Sequence, residues 1–400
     1  MVVDVTAARG TVPGAHWRPE DCDPADLVAL LNRDTVPDDA PGATTIESGV
    51  PIYDGARLRP WLDDPAGRRA LLSEWAHVLG EGAGVLVLRG AYGDTAPVDR
   101  ATAAFEAIIA EESEGGGGSD HFAAAGSNAR VWCSAGKLCE RDPEGFARYH
   151  GNPLIAAACE AWLGPAYQVT AQVNLVRPGG AGQTAHRDYH LGFQGAEAAA
   201  RWPRHAHALS AALTLQGAIA HCDMPVESGP TRLLPRSQLY GPGYLAQHDE
   251  RFGALFEERA VQVPLGKGDA LFFNPALLHA AGANRSADVQ RMANLLQVSS
   301  AFGRAMEAMD RRGMAMRLYP ALLSLTAEGA EGRLGAAEAE AAIAACAESY
   351  PFPTNLDTDP PVGGNAPGSE ADLMRRALAE RWEPDEFEAA LIERAAARVP

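Results

Sequence analysis

Apolar positions in the first eighty residues recur at helical spacing in two stretches, 24–31 and 68–79. Side chains three and four apart form one stripe of a helix, so both stretches are expected to be helical. Residues 84–89, Gly-Val-Leu-Val-Leu-Arg, change the period and read as a first core strand. A helical pattern returns over 98–112 and stops at the run Gly115–Gly118. Between 150 and 300 the pattern is strand-rich: 169–176, 271–273 and 295–298 are the clearest runs, and Arg291 enters the last of them. From 303 onward the chain turns helical and rich in alanine. Residues 372–382 are amphipathic, and 384–394 open with proline and acidic residues, as a helix N-terminus favours. Between 357 and 368, proline, glycine and aspartate indicate an irregular loop. There is no internal repeat. The expected division is a mixed, helical extension over 1–80, a core over 81–302 and a helical extension over 303–400, packed as one domain.

Composition narrows this picture. The chain has 400 residues, 46% of them hydrophobic, which suits a soluble β-barrel core with helical additions. No apolar run is long enough to cross a bilayer, and the N-terminus lacks a charged start followed by an apolar stretch. A cytoplasmic protein is expected. The six cysteines form no Cys-x-x-Cys pair and are read as reduced thiols. A net charge of −18 argues against a nucleic-acid partner and mildly against an anionic membrane. It leaves room for an anionic small molecule, since one arginine in a pocket outweighs distant surface charge.

The chemistry centres on His186-Arg187-Asp188 and on a lone His279 far downstream. Strand side chains alternate faces, so His186 and Asp188 can reach one ion while Arg187 points elsewhere. Two imidazoles and a carboxylate can hold one face of Fe(II) and leave the opposite face open. His-x-Asp alone arises often by chance, and a surface pair is its bland reading; the distal context carries the case. The glycines at 115–118 lack the Gly-Lys-Ser/Thr ending of a phosphate loop and are read as a mobile loop. His205, His207 and His221 have no spacing partner and are read as ordinary histidines.

Three blocks then resemble one family. The first is Gln172-Val-Asn174-Leu-Val-Arg-Pro178-Gly179, continued by Gln183-Thr-Ala-His186-Arg-Asp188-Tyr189. The second is Glu227-Ser-Gly229-Pro230-Thr231-Arg-Leu-Leu-Pro235-Arg-Ser237-Gln238. The third is Gly268-Asp269-Ala-Leu-Phe-Phe, then His279 through Arg291. In order and spacing they resemble the phytanoyl-CoA dioxygenase-like family of Fe(II)/2-oxoglutarate oxygenases, over roughly residues 80 to 300. There are departures. The second block usually ends Pro-Gly-Ser-His, where this chain has Arg236 and Gln238. Its distal His and Arg stand twelve apart rather than the usual eleven, which leaves Arg285 as a competitor to Arg291.

The resemblance implies a double-stranded β-helix of jelly-roll or cupin-like form, mainly β, flanked by N- and C-terminal helices. It implies Fe(II) on His186, Asp188 and His279, with 2-oxoglutarate and O2 filling the remaining positions. Arg291 is expected to bind the far carboxylate of 2-oxoglutarate, with Asn174, Gln172 and Ser286 as polar contacts, or as ordinary interior hydrogen-bonders. Gln183 and His190 are placed toward substrate, His190 on the face of His186 and Asp188 if the strand continues, or as a structural residue. The implied reaction is hydroxylation of an unactivated C–H bond of a small-molecule metabolite, with release of succinate and CO2. Asp188 argues against halogenation, while desaturation and cyclisation stay open. A cupin-type metalloenzyme without 2-oxoglutarate and a non-catalytic binding barrel are the alternatives. Residues 115–126 and 192–203 are candidate lids over the barrel mouth. Oligomeric state and the role of the tail are left open.

Overall fold

Four helices share one local cause. Each starts at an Asp-Pro or Asn-Pro pair: Asp23-Pro24, Asp64-Pro65, Asp142-Pro143 and Asn152-Pro153. In a computed structural model, which describes residues 14–114 and 128–400, each Asx side chain accepts a backbone N–H of the first turn and the proline sits at its start. The cap satisfies a donor that the helix cannot, and proline loses nothing there because its missing N–H has no partner in any case. The helices run over Pro24–Leu31, Pro65–Gly80, Pro143–His150 and Pro153–Leu163. The glycine run at 115–118 and the lid suggested for 115–126 lie outside the described residues.

The strands are β1 (Thr45–Glu47), β2 (Val50–Asp54), β3 (Val85–Arg89), β4 (Asn128–Val131), β5 (Gln168–Val176), β6 (Thr214–Ala220), β7 (Arg232–Leu233), β8 (Val261–Gln262), β9 (Ala270–Phe273), β10 (His279–Ala280) and β11 (Arg291–Ser299). Eight form a large sheet in the order β1-β2-β3-β9-β6-β11-β5-β4, and three form a small sheet, β10-β7-β8. Single bridges at His186–His279 and Met224–Leu265 extend the small sheet. The two sheets make a double-stranded β-helix of jelly-roll form, flanked by helices. The first eighty residues supply two of the large sheet's strands, and β2 joins β3 in parallel. No helix among the described residues is long and apolar enough to cross a membrane.

The large sheet has two different faces. Toward the helices it buries Leu215, Ile219, Met292, Leu296 and Val298 in the main hydrophobic core. Toward the small sheet the alternate positions carry polar or small side chains. Register aligns them in rows: Gln172 with Leu295 and Ala218, Asn174 with Ala293 and Ala220, and Gln297 with Gln216 and Phe273. The C-terminal helices Glu370–Glu380 and Pro384–Arg398 pack on helix Arg311–Leu325, where Tyr319 stacks on Phe387 at 4.2 Å. The tail therefore thickens the helical layer, away from the inner face. Residues 192–203 form a short turn and the helix Ala196–Ala199.

A buried polar chain crosses the helical layer. Ser134 donates to Asn294 Oδ1, Asn294 donates to the Tyr149 hydroxyl, Thr102 donates to the Val98 carbonyl, and His221 stands between Thr102 and Tyr149 at 2.8 and 2.7 Å. Thr102 has spent its proton, so His221 Nδ1–H donates to it and Nε2 accepts from Tyr149. Only neutral His221 satisfies every member. Burial depresses its pKa to about 3, with Asp99 opposing and Lys267 adding to the effect. A folded pKa below the unfolded value of about 6.5 contributes stability above that pH and loses it as pH falls toward 3. Going from pH 7 to 5 should cost about 2 kcal/mol through this group. Urea unfolding of wild type and His221→Gln at both pH values checks it: the variant should lose about that much of the pH dependence, and equal slopes would contradict the assignment.

Candidate metal centre

Residues 183–188 run antiparallel to 275–281. His186 N–H donates to the His279 carbonyl at 3.0 Å and His279 N–H returns the bond at 3.1 Å. Gln183 N–H reaches Ala281 O at 2.9 Å and Asp188 N–H reaches Pro275 O at 3.0 Å. The continuous strand expected here is reduced to one bridge with extended flanks. Tyr189 and His190 then take φ of 61° and 44° and turn the chain into a short 3-10 segment. His190 therefore leaves the face of His186 and Asp188, lies outside the cavity lining, and keeps its Nε2 buried without a hydrogen-bond partner among the described residues.

The two-residue step survives for the other pair. Ligand-type atoms of His186, Asp188 and His279 all lie within 4.8 Å of one another. His186 Nε2 is 3.7 Å from Asp188 Oδ1, and His279 Nε2 is 3.5 Å from Asp188 Oδ2. Both imidazoles are oriented alike: His186 Nδ1 meets the Thr184 carbonyl at 2.8 Å and His279 Nδ1 meets the Leu277 carbonyl at 2.9 Å. A carbonyl can only accept, so Nδ1 carries the proton in each neutral ring and Nε2 presents its lone pair to Asp188. Burial, and next the charge of His279, lower the His186 pKa, with Asp188 opposing. Burial alone would raise the Asp188 pKa, but His279, His186 and Gln216 together bring it down to about 2. Asp188 is thus an ionised carboxylate, and when both rings are neutral it faces their Nε2 lone pairs. Gln216 Nε2 donates to Asp188 Oδ2 at 2.5 Å and holds that carboxylate.

These groups line a cavity of about 560 Å³ between the sheets. Gln172, Asn174, Gln183 and Arg291 line it as well. Gln172 Oε1 accepts from Arg130 at 3.0 Å. Asn174 Oδ1 is buried and has no hydrogen-bond partner among the described residues. Gln183 Oε1 accepts from Ala281 N–H at 3.2 Å. Arg291 is 6% exposed; its Nη1 donates to Ser228 O at 3.0 Å and Gly282 O at 2.9 Å. Burial lowers its pKa to about 10, with Cys222 opposing, and no carboxylate among the described residues pairs with it. The two carbonyls reach it because Gly229 and Gly282 touch: a Cβ on Gly282 would lie 2.8 Å from Gly229 Cα. Arg285 is exposed. Gln216, Gln297, Arg130 and Phe273 were not anticipated. Gln297 accepts from the Tyr189 hydroxyl, and the Phe273 ring lies 4.7 Å from that of His279. No pattern in the strand singled out Gln216, because Thr214 is a second polar residue on the face it shares with Ala218 and Ala220.

A family model for phytanoyl-CoA dioxygenase (PhyH) matches residues 80–293, more than half of the chain. The chain belongs to the phytanoyl-CoA dioxygenase family. Among curated relatives, dioxygenase andF of Emericella variicolor is 30% identical over 147 residues, 35% of this chain and 45% of that relative. The match thus spans less than half of that relative's length. Among solved structures, the epimerase SnoN in complex with Fe3+, alpha ketoglutarate and nogalamycin RO aligns with a TM-score of 0.42 at 23% identity, over 60% of this chain and 85% of that one. The carbocyclase SnoK aligns with a TM-score of 0.43 at 21% identity, over 58% and 86%.

Two departures from the phytanoyl-CoA dioxygenase pattern have physical explanations. Arg236, where the pattern has glycine, adopts φ 69°, in the left-handed region that glycine favours. Its guanidinium binds Asp39 at 3.0 Å and the Asp34 carbonyl at 2.9 Å, which offsets the strain. The extra residue between His279 and Arg291 is taken up by a loop anchored at Asn284, whose Nδ2 donates to Val176 O and Val289 O. That loop also corrects the expectation for Ser286. Its hydroxyl donates to Asn284 Oδ1 at 2.6 Å and accepts from Val289 N–H at 3.2 Å, so it closes the turn instead of lining the cavity beside Arg291. Ser286→Ala should cost about 1 kcal/mol of stability in urea unfolding. No loss of stability would show that the turn does not depend on this hydroxyl.

Proposed function

We propose that this chain is an Fe(II)- and 2-oxoglutarate-dependent dioxygenase acting on a C–H bond of a small molecule, with hydroxylation as the reaction. The observation that carries the reading is the pairing, in one cavity, of the His186–Asp188–His279 cluster with the buried cation of Arg291. The donor set fits a ferrous ion: two neutral imidazole nitrogens and one carboxylate, all on one side. Held there, the metal would activate O2 while 2-oxoglutarate goes to succinate and CO2.

The residues around it divide the remaining work. His186 and His279 are held in one tautomer by backbone carbonyls, so no reorientation is needed to bind metal. Gln216 fixes one Asp188 oxygen and leaves the other free to bind. Arg291 is the partner for the far carboxylate of 2-oxoglutarate, because a buried guanidinium without a carboxylate favours an anion and can bind it bidentately. Asn174 Oδ1 and Gln172 Nε2 add polar contacts on the same wall. Trp132, Phe193 and Met306 also line the cavity and suit an apolar portion of the substrate. Asp188 occupies the third protein position, which favours hydroxylation over halide transfer. The net charge of −18 speaks against a nucleic-acid substrate.

Calorimetric titration with Fe(II) under anaerobic conditions should give one site per chain. His279→Ala should abolish it, and Gln216→Ala should weaken it by about ten- to a hundredfold, as expected for a partner that orients a ligand. Wild-type affinity in His279→Ala would remove the metal assignment.

The cosubstrate is tested separately. A charge-assisted hydrogen bond contributes about 1.5–3 kcal/mol, so Arg291→Ala should weaken 2-oxoglutarate binding by roughly ten- to a hundredfold with Fe(II) binding intact. Arg285→Ala should bind as wild type. The opposite pattern would transfer the role to Arg285.

A further inference from the structure

A second cavity, of about 330 Å³, lies beside the first, and Arg187 lines both. Arg187 is 2% exposed. Its Nη2 donates to Ser237 O at 2.6 Å and Tyr240 O at 3.1 Å, and its guanidinium lies 5.2 Å from the centre of the Tyr244 ring. Its Nε has no hydrogen-bond partner, and no carboxylate of the described residues forms an ion pair with it. Carbonyls satisfy N–H groups but do not neutralise a charge, and a buried cation without an anion is costly.

Other groups on the same wall are also incomplete. Arg204 stacks on Trp17 at 3.8 Å, its Nε is buried without a partner among the described residues, and its Nη2 forms only a long ion pair, 3.9 Å, with Asp21. Gln238 closes this wall: its Nε2 donates to the Gly82 carbonyl and its amide packs against Gly84. Trp17 and Trp162 supply indole surface to the lining, and Ala211 leaves space. Two guanidinium groups and aromatic walls define a ligand by complementarity.

We propose that this cavity is a second ligand site, separate from the metal centre, for a small aromatic carboxylate. The carboxylate meets the guanidinium side chains of Arg187 and Arg204. The ring lies against the indoles. The outer wall, Trp17 and Arg204, is partly exposed and forms the way in.

The probe is benzoate, titrated calorimetrically into the whole 400-residue chain without metal, so that the outcome does not depend on the oxygenase reading. One site per chain is expected. Arg204→Gln should weaken it at least tenfold, and Ala211→Phe, which fills the cavity, should abolish it, with circular dichroism confirming that each variant is folded. Arg291→Ala, in the first cavity, should leave it unchanged. p-Cresol, which lacks the carboxylate, should bind at least tenfold more weakly. No binding, equal binding of p-cresol, or loss in Arg291→Ala with retention in Ala211→Phe would overturn the proposal and leave a water-filled cavity or a ligand of the first one.

Discussion

Two backbone hydrogen bonds, exchanged between His186 and His279, are the constraint on which the centre depends. Residues paired in this way stand directly opposite and send their side chains to the same face. The pairing therefore brings two imidazoles from distant parts of the chain side by side, their rings 4.5 Å apart. Asp188 joins them because it lies two residues on, in extended backbone. Each ring is then steered by a carbonyl two residues before it, Thr184 for one and Leu277 for the other. Tautomer and orientation follow from the local extended chain alone. No distant carboxylate is needed to hold either histidine, and Gln216 is left to hold Asp188.

The cavity beside this pairing exists because the large sheet treats its two faces differently. On β6 and β11 the helix-facing positions include the large apolar Leu215, Ile219, Met292, Leu296 and Val298, and the inner ones include Ala218, Ala220 and Ala293. The outer side chains bury against helices, each contributing about 1.5–3 kcal/mol when fully covered. That packing is what allows the inner face to carry Gln172, Asn174, Gln216, Gln297 and Arg291, whose burial opposes folding. The C-terminal helices reinforce the same outer layer through Tyr319, which stacks on Phe387 and donates its hydroxyl to the Ala377 and Trp382 carbonyls.

Much of this was legible in the chain. The strands around 169–176, 271–273 and 295–298 showed because they are long or bounded by turn residues, and the helices at 24–31 and 68–79 because their apolar residues recur at helical spacing. Family blocks located the three ligand-type residues and Arg291. Other features carried no local signal. The turn at Tyr189 and His190 uses positive φ without glycine, so nothing in the residue types announced that the strand would stop. The edge hairpin of β1 and β2 is short and contains Pro51, and pairs with β3 only through tertiary context. Ser286 sits in a turn whose geometry depends on Asn284 reaching back to Val176. Gln216 is a single polar residue whose meaning appears only once Asp188 is placed beside it.

Arg236 shows how the fold keeps a motif after its residue has changed. The left-handed conformation at this position is retained although glycine is absent, and its backbone N–H still meets the Ala83 carbonyl. A non-glycine residue in this region costs about 1 kcal/mol. The ion pair to Asp39 lies on the N-terminal segment, so part of the cost is met by residues that precede the family-matched stretch 80–293. The segment 34–39 is thus tied to the turn that follows β7, and that turn in turn carries Ser237, whose hydroxyl accepts the Leu278 N–H. Leu278 is the residue before His279. A connected set of bonds therefore runs from the N-terminal segment, through Arg236 and Ser237, to the backbone that presents the second imidazole.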